Sequence, residues 1–378
     1  LANLFVFDLI DKFKKLFKAK LIYGRPKKRN ILFFDCQNSK IIEKQFKKNT
    51  YETLTVRGES LNVNIILKML MNFNLSFKSY VFHYISYVSP KIIITFTDNS
   101  IFFYKFKKMF PHIIFIAVQN GVRLKHESTF DELRGDCSKK NLQADYIFTF
   151  GKAINDEYLK YIKFNPVFLG SFRNNLVPIS KKNEKKKSIL FISAWRSYFR
   201  NKKKNIENRY YSVEDKLLPL IIEFCENFKI KFCIAGCSIS DWQQEKEYYS
   251  KMINKGKWSF IRRKNELSNY KLIDRFEVIA FTHSTLGYEA LARNKKIVTF
   301  SCANSREFRS SSPFGWPLKI RKNFFNSKSL TKSEVFRVLK NVVFISKRQW
   351  NKNYQKFFKE IINFDSNNKK FINLIKKN

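Results

Sequence analysis

No C-x-x-C pair occurs in this chain. Its six cysteines, Cys36, Cys137, Cys225, Cys233, Cys237 and Cys302, are scattered without zinc spacing, which argues against a structural zinc site and fits a reduced, cytoplasmic setting. Cys233 and Cys237 straddle the end of KFCIAGC and read as small buried hydrophobes. No apolar run reaches the ~20 residues needed to span a bilayer. The opening residues LANLFVFDLIDKFKKLFKAK carry Asp8, Asp11 and a lysine cluster, against a cleaved signal peptide. Histidine is scarce, with four in all, and carboxylates are outnumbered, 31 Asp+Glu against 73 Lys+Arg.

What is present is apolar and basic. A 378-residue chain that is 44% hydrophobic and 17% aromatic can bury a large core, and its length favours two or three α/β domains. The formal charge of +42 creates a positive field that suits anionic partners: nucleotide phosphates, acidic lipid or nucleic acid. Heavy use of Lys, Asn, Ile and Phe also fits an A+T-rich genome, with lysines spread over solvated helix faces. Leu4, Phe5, Ile10, Phe13, Leu16 and Phe17 recur near helical spacing with lysines between them, so the start of the chain reads as an amphipathic helix that packs on the core or lies on an anionic membrane.

Apolar β-branched runs alternate with helical patterns twice over, the signature of parallel sheets built from βαβ units. In the first half RNILFFDC, KIIITFT, HIIFIAV, DYIFTFG and PVFLG read as strands; in the second SILFISAW, KFCIAG, WSFIRR, FEVIAFTH and KIVTFS do. Near-continuous apolar strands imply sheets covered on both faces. The expected organisation is two Rossmann-like, doubly wound domains, 1–175 and 188–330. A polar, lysine-rich linker over 176–187 joins them, and helices with a tail that frays follow over 331–378.

The richest stretch is FEVIAFTHSTLGYEALARNKKIVTFS. It reads as a strand, a His283-Ser284-Thr285 turn, a helix containing Gly287, and a second strand. Open α/β sheets bind ligands at the carboxyl ends of their strands, and a helix start offers unpaired N–H groups and a positive dipole end. Hydroxyls with free amides suit a diphosphate or phosphodiester. Glu289 follows Ser284 by about one and a half turns, within reach of a ribose. An ordinary capped strand-to-helix turn is the competing reading.

Two such domains place a cleft between the carboxyl ends of their sheets, where loop residues converge. From the first come Asp98, Gln119, Asn120, Gly121, Arg123, His126 and Glu127. From the second come Trp195, Arg196, Ser197, Asp241 and the turn at His283. The run REFRSSSPFGW reads as a loop whose Trp316 either stacks on a sugar or base, or anchors the loop in the core.

The segments PKIIITFTDNSIFFYKF, IAVQNGVR, ADYIFTFG, LGSFRNN, ISAWRS, THSTLGYEALARNKKIVTF and SPFGWP resemble, from about Pro90 to Pro317, the bacterial surface carbohydrate (capsule and lipopolysaccharide) biosynthesis proteins of the GT-B glycosyltransferase type. The Ser-Thr turn is also similar to the Ser-Ser/Thr motif of transferases that use CMP-activated Kdo or sialic acid. The sialyltransferase His-Pro motif is absent, because His283 is followed by Ser and His126 by Glu. His126-Glu127 matches the His-Glu-Pro motif of Kdo-type transferases only in part, because Ser128 replaces proline. The resemblance implies a nucleotide-sugar donor, CMP-linked among the candidates, with no permanently bound cofactor. Its acceptor would be a growing surface glycan or a lipid-linked one, met at the inner face of the plasma membrane.

By that resemblance Ser284 and Thr285 hold the nucleotide phosphate and Glu289 contacts its ribose; the cleft reading adds His283, Gly287, Arg196 and Ser197 on the nucleotide side. The same cleft reading puts Gln119, Asn120, Gly121, Arg123, Asp241 and Trp316 on the substrate side. Sugar transfer needs a base or nucleophile at the anomeric carbon and positive or dipolar groups at the leaving phosphate. Asp98 and Glu127 are the leading carboxylates, with His126 beside them and Asp241 next in line. The metal-carrying Asp-x-Asp motif of the other large glycosyltransferase fold is missing, which implies a metal-independent reaction. Two other classes compete: a basic nucleic-acid-binding protein, disfavoured by the even spread of lysines and the lack of a known module, and a sugar-binding relative that lost catalysis.

Overall fold

The computed structural model describes residues 19–74, 76–125, 128–135, 141–180, 185–195, 208–253, 255–282, 284–300, 314–319 and 324–378. Two six-stranded parallel sheets organise them. The first uses β2 (Ile31–Phe34), β3 (Tyr51–Leu54), β5 (Ile92–Thr95), β6 (Ile114–Val118), β7 (Gln143–Thr149) and β8 (Lys163–Phe168), in the order β3-β2-β5-β6-β7-β8. β1 (Lys20–Ile22) and β4 (Ser60–Asn62) form a separate parallel pair. The second sheet uses β9 (Lys185–Ile192), β10 (Lys231–Ala235), β11 (Ser259–Ile261), β12 (Phe276–Phe281), β13 (Lys296–Phe300) and β14 (Asn326–Ser327), in the order β11-β10-β9-β12-β13-β14. This is the expected α/β fold, doubly wound and of the GT-B type.

The strands are parallel because each is followed by a crossover, and they are apolar on both faces because helices cover both. All of Ile92–Thr95 is buried, as is all of Lys296–Phe300. Chain order reverses between β2 and β5 in the first sheet and between β9 and β12 in the second. At such switch points adjacent crossovers leave in opposite directions and open a crevice at the carboxyl ends.

The helices that frame the sheets include α1 (Val63–Met71), α2 (Phe77–Val88), α3 (Lys152–Leu159), α4 (Asn208–Asn227), α5 (Trp242–Met252), α6 (Thr285–Ala292), α7 (Lys332–Phe344), α8 (Lys347–Ile361) and α9 (Lys369–Lys377). Asn62 caps α1 by accepting from the amides of Asn64 and Ile65, and Ser76 caps α2 through Ser79.

The end of the chain does not fray: it crosses back to the first half. Phe371 of α9 is buried among Phe148 and Phe172, with ring centroids 5.4 and 5.3 Å away. Asn368 donates to the Phe172 carbonyl at 3.0 Å, and Gly170 bridges to Phe364. Gly170 has φ +83°, and a Cβ there would lie 2.1 Å from the Asn363 carbonyl oxygen, so the close approach requires glycine.

A buried polar hinge joins the halves. Arg293, just past α6, pairs with Asp274 at 2.8 and 2.5 Å and donates to Asn174 and to the carbonyls of Val177 and Pro178. No helix among the described residues is long and apolar enough to cross a membrane.

Candidate functional site: a cleft between the two sheets

The crevice at the second switch point is a cavity of about 580 Å³, within the ~300–1,000 Å³ of small-molecule sites. Ile192 and Ser193 at the end of β9, Cys237 after β10, Thr282 after β12 and Thr299 on β13 form its floor. The first half contributes Asn120, Val122, Leu124 and Arg173 to the wall.

α6 opens into this cavity. Ser284, Thr285 and Leu286 line it, and Ser284 places no side-chain hydrogen bond on the helix end. The first-turn amides of a helix lack internal acceptors and carry its positive dipole end, which is the chemistry an anion needs. Thr285 also ties α6 to the first half: its Oγ1 accepts from the Val122 amide at 3.3 Å, which leaves its proton to donate. Gly121 packs there, since a Cβ on it would stand 3.3 Å from that oxygen. Gly287 serves packing instead of phosphate. A Cβ on it would fall 2.4 Å from the Phe281 ring, so glycine lets α6 lie flat on β12.

Glu289 lines the cavity, and its Oε1 accepts from Ser171 of the first half and from Tyr270 at 3.0 Å. Burial raises its pKa, while the Ser171 and Tyr270 hydrogen bonds and the charges of Arg173 and Arg263 pull it back. Sequence reading missed Arg173, Arg263 and Tyr270. Arg173 lies inside LGSFRNN and Arg263 inside WSFIRR, where strand and turn patterns hid them. Arg173 stands 5.2 Å over the Phe96 ring, and Arg263 donates to the carbonyls of Cys237, Asn265 and Glu266.

Asp98 takes a role other than the expected base. It is fully buried and paired bidentately with Arg123; its Oδ2 also accepts from Tyr158 at 2.8 Å and its Oδ1 from the Asn120 amide at 3.1 Å. A base needs a lone pair facing its substrate, and these are occupied inside the core. Arg123, 6% exposed, also donates to Asn120 Oδ1 at 2.7 Å, so it fixes the Gln119-Asn120-Gly121 turn rather than reaching for phosphate. Gln119 is likewise internal, accepting from the Phe150 amide and donating to the Gly121 carbonyl. Burial holds Tyr104 and Tyr158 well above the ordinary phenol range beside this pair.

Two further expectations move away from the cavity. Asp241 sits at the N-cap position of α5, where Ser238 and Ser240 hydroxyls donate to it, and it is absent from the cavity lining. Trp316 packs edge-on against Phe130 of the first half, centroids 5.0 Å apart, so it anchors its loop; Phe314 lines the cavity instead, stacked on Tyr288 at 4.6 Å. His126, Glu127, Arg196, Ser197 and His283 lie outside the described residues.

Behind the floor a chain of buried groups supports Ser193. Its hydroxyl donates to Glu245 at 2.5 Å and lies 2.8 Å from the Tyr249 hydroxyl, which is itself 2.9 Å from Glu214. Glu245 further accepts from the Cys237 and Ser238 amides. Burial pushes Glu214 up to about 7 despite the Tyr249 hydrogen bond, with Asp215 and Glu245 adding to the rise.

At the first sheet's switch point Asp35 is buried with φ +77°, in the left-handed region; it accepts from Arg57 at 2.9 and 2.8 Å and from Thr97 at 3.3 Å. Among the described residues, Asp35, Cys36 and Glu59 are the group whose ligand atoms lie close enough to share a metal. The Asp35 charge is already matched by Arg57.

A family model described as "putative O-antigen biosynthesis protein" matches residues 116–378. No curated protein matches the chain. Solved structures do. A protein described as "putative UDP-N-acetylglucosamine 2-epimerase" from Listeria monocytogenes is 12% identical, with a TM-score of 0.50 over 95% of this chain and 96% of that one. HepE from Anabaena, solved with UDP and glucose, is 10% identical with a TM-score of 0.49 over 93% and 100%. A chain of the Streptococcus agalactiae Glycosylation Associate Protein (Gap123) complex is 13% identical with a TM-score of 0.42, over 74% of this chain and only 54% of its own length. At these identities the likeness is one of fold.

Proposed function

The chain belongs to the O-antigen biosynthesis family matched over residues 116–378, and on that footing we propose that it is a metal-independent glycosyltransferase. It moves a sugar from a nucleotide-sugar donor to a growing surface polysaccharide or lipid-linked acceptor, working as a peripheral protein at the inner membrane face. The observation that carries this reading is the uncapped start of α6 facing a cavity walled by both halves, with Arg173 and Arg263 on its rim.

In this reading the donor lies on the second sheet. The α6 amides and the Ser284 hydroxyl bind the diphosphate or phosphodiester and stabilise the charge that develops on the leaving phosphate, a stabilisation that needs no metal. Glu289, held in place by Ser171 and Tyr270, accepts from a ribose or sugar hydroxyl. Because Ser171 and Thr285 bridge the halves, donor binding also sets the spacing between donor and acceptor sites. Asp98 and Arg123 position the Asn120 turn.

Glu127 is the reacting carboxylate of this proposal, with His126 next to it. Its chain neighbours support the placement: Leu124 lines the cavity, and a helix begins at Ser128. Glu127→Gln keeps size and removes the base, so turnover falls by ~100-fold or more with donor affinity retained. The donor is read by thermal melting with CMP, UDP and GDP and their sugars: the nucleotide that binds only the native protein raises Tm, by about 2.7 kcal/mol of stability at 100 times its Kd. No shift with any nucleotide would leave the inactive-relative reading in its place.

A further inference from the structure

The first half carries an apolar face that the other described residues leave uncovered. Eight of the fourteen exposed large hydrophobic residues among the described ones fall between Leu21 and Phe77, whereas surface hydrophobes ordinarily scatter singly. The geometry joins them. α1 buries Ile65 and Met69 and turns Asn64, Leu67, Lys68 and Met71, three or four residues apart, to the other side. Tyr23 is fixed to that side by the Asn64 side chain, which donates to its carbonyl at 2.7 Å. β1 pairs with β4, which leads directly into α1, and Leu70, Phe73 and Phe77 extend the face toward α2. Phe73 is 97% exposed at φ +52°, and Met71 is 78% exposed. A bulky residue in the left-handed region is uncommon, and here its side chain contributes nothing to the core.

The surrounding charge is mostly positive. From Ala19 to Phe34 and from Ser60 to Thr97 the sequence contains no Asp or Glu. Exposed Lys20, Arg25, Lys27, Lys28, Lys68 and Lys78 lie in these stretches. Carboxylates enter at the edge of this face: Glu52 takes the Lys27 amide, and exposed Glu59, just before β4, accepts the Lys20 amide on its carbonyl at 3.1 Å. Apolar and aromatic side chains ringed by cations match an anionic bilayer surface, where rings and aliphatic chains enter the headgroup boundary and lysines meet lipid phosphates. Nucleic acid would use the cations and leave the aliphatic face wet.

We propose that the face formed by Tyr23, the outer side of α1 and Phe73 docks this protein on anionic lipid. The docking is independent of sugar transfer and is read without donor or acceptor.

The test is co-sedimentation of the full-length protein with phosphatidylcholine vesicles, with and without phosphatidylglycerol. The expected result is binding that requires the anionic lipid and weakens as salt screens the charges. Met71→Glu with Phe73→Glu should weaken it by ~10-fold or more, since each large apolar side chain kept from the membrane accounts for about that factor. Leu159→Glu with Phe344→Glu, exposed hydrophobes elsewhere with the same change in net charge, should leave binding near that of the unaltered protein. Three results would overturn the assignment. The first is equal loss in the two pairs, which makes the binding a property of overall charge. The second is no vesicle binding at all, as expected if the first 18 residues cover the face. The third is a lipid-free dimer abolished by Met71→Glu and Phe73→Glu, which makes the face an interface between copies.

Discussion

Asp98→Asn separates a structural carboxylate from a catalytic one. Asp98 is wholly buried against Arg123, which is itself 6% exposed, and Tyr158 and the Asn120 amide complete its hydrogen bonds. The amide keeps the size of the side chain but leaves the guanidinium facing a neutral group in a low-dielectric site. Breaking a buried pair in this way costs about 3–5 kcal/mol. At roughly 2–4 °C per kcal/mol for a domain of this size, Tm should fall by on the order of 10 °C. Melting followed by circular dichroism reads the effect. Replacing both partners, Asp98→Leu with Arg123→Met, should be less damaging than Asp98→Asn alone, because no charge is left buried. The opposite pattern, unchanged Tm with turnover down ~100-fold, would make Asp98 the base and refute its assignment to the scaffold.

Two other outcomes follow from the packing around the cavity. Glu214 titrates at about 7 in the folded chain against an ordinary 4.5; the folded state therefore holds the proton more tightly, its contribution is complete below about pH 4.5 and is lost as pH rises through about 7. Glu214→Gln should accordingly stabilise the protein by up to about 3 kcal/mol at pH 8 and by little at pH 4.5, as read by urea unfolding; a pH-independent difference would contradict the buried-acid account. Gly287→Ala should cost about 1–3 kcal/mol by driving a methyl into the Phe281 ring, and a neutral effect on Tm would mean that α6 is free to lift from β12.

How far the sequence carried the fold depends on how local each signal is. FEVIAFTH and KIIITFT announce buried parallel strands because their apolar runs are continuous, and the Ser284 turn is legible because strand, hydroxyls and helix follow one another in the chain. Asp98 was misassigned by the same local rule: a carboxylate after a strand looks like a cleft residue until Arg123, 25 positions on, and Tyr158, 60 on, are seen to fold over it. Glu214 and Asp215 are adjacent in sequence, yet one is buried and the other exposed, a difference set by how α4 packs rather than by composition. The return of Phe371 to the first half has no local signature either, since a Lys- and Asn-rich helix reads as a frayed tail until Phe148 and Phe172 supply its pocket.

Isothermal titration of the stabilising nucleotide against Ser284→Ala tests the central claim most directly. Thr285 accepts from Val122 and keeps its own proton to donate, so Ser284→Ala removes one of two hydroxyl donors at the helix start. Losing one hydrogen bond to a charged phosphate is worth about 1.5–3 kcal/mol, which predicts a Kd weakened by ~10-fold or more in a variant whose unliganded Tm stays at the starting value. An unchanged Kd in the folded variant would contradict a phosphate site at α6 and with it the donor-binding half of the account.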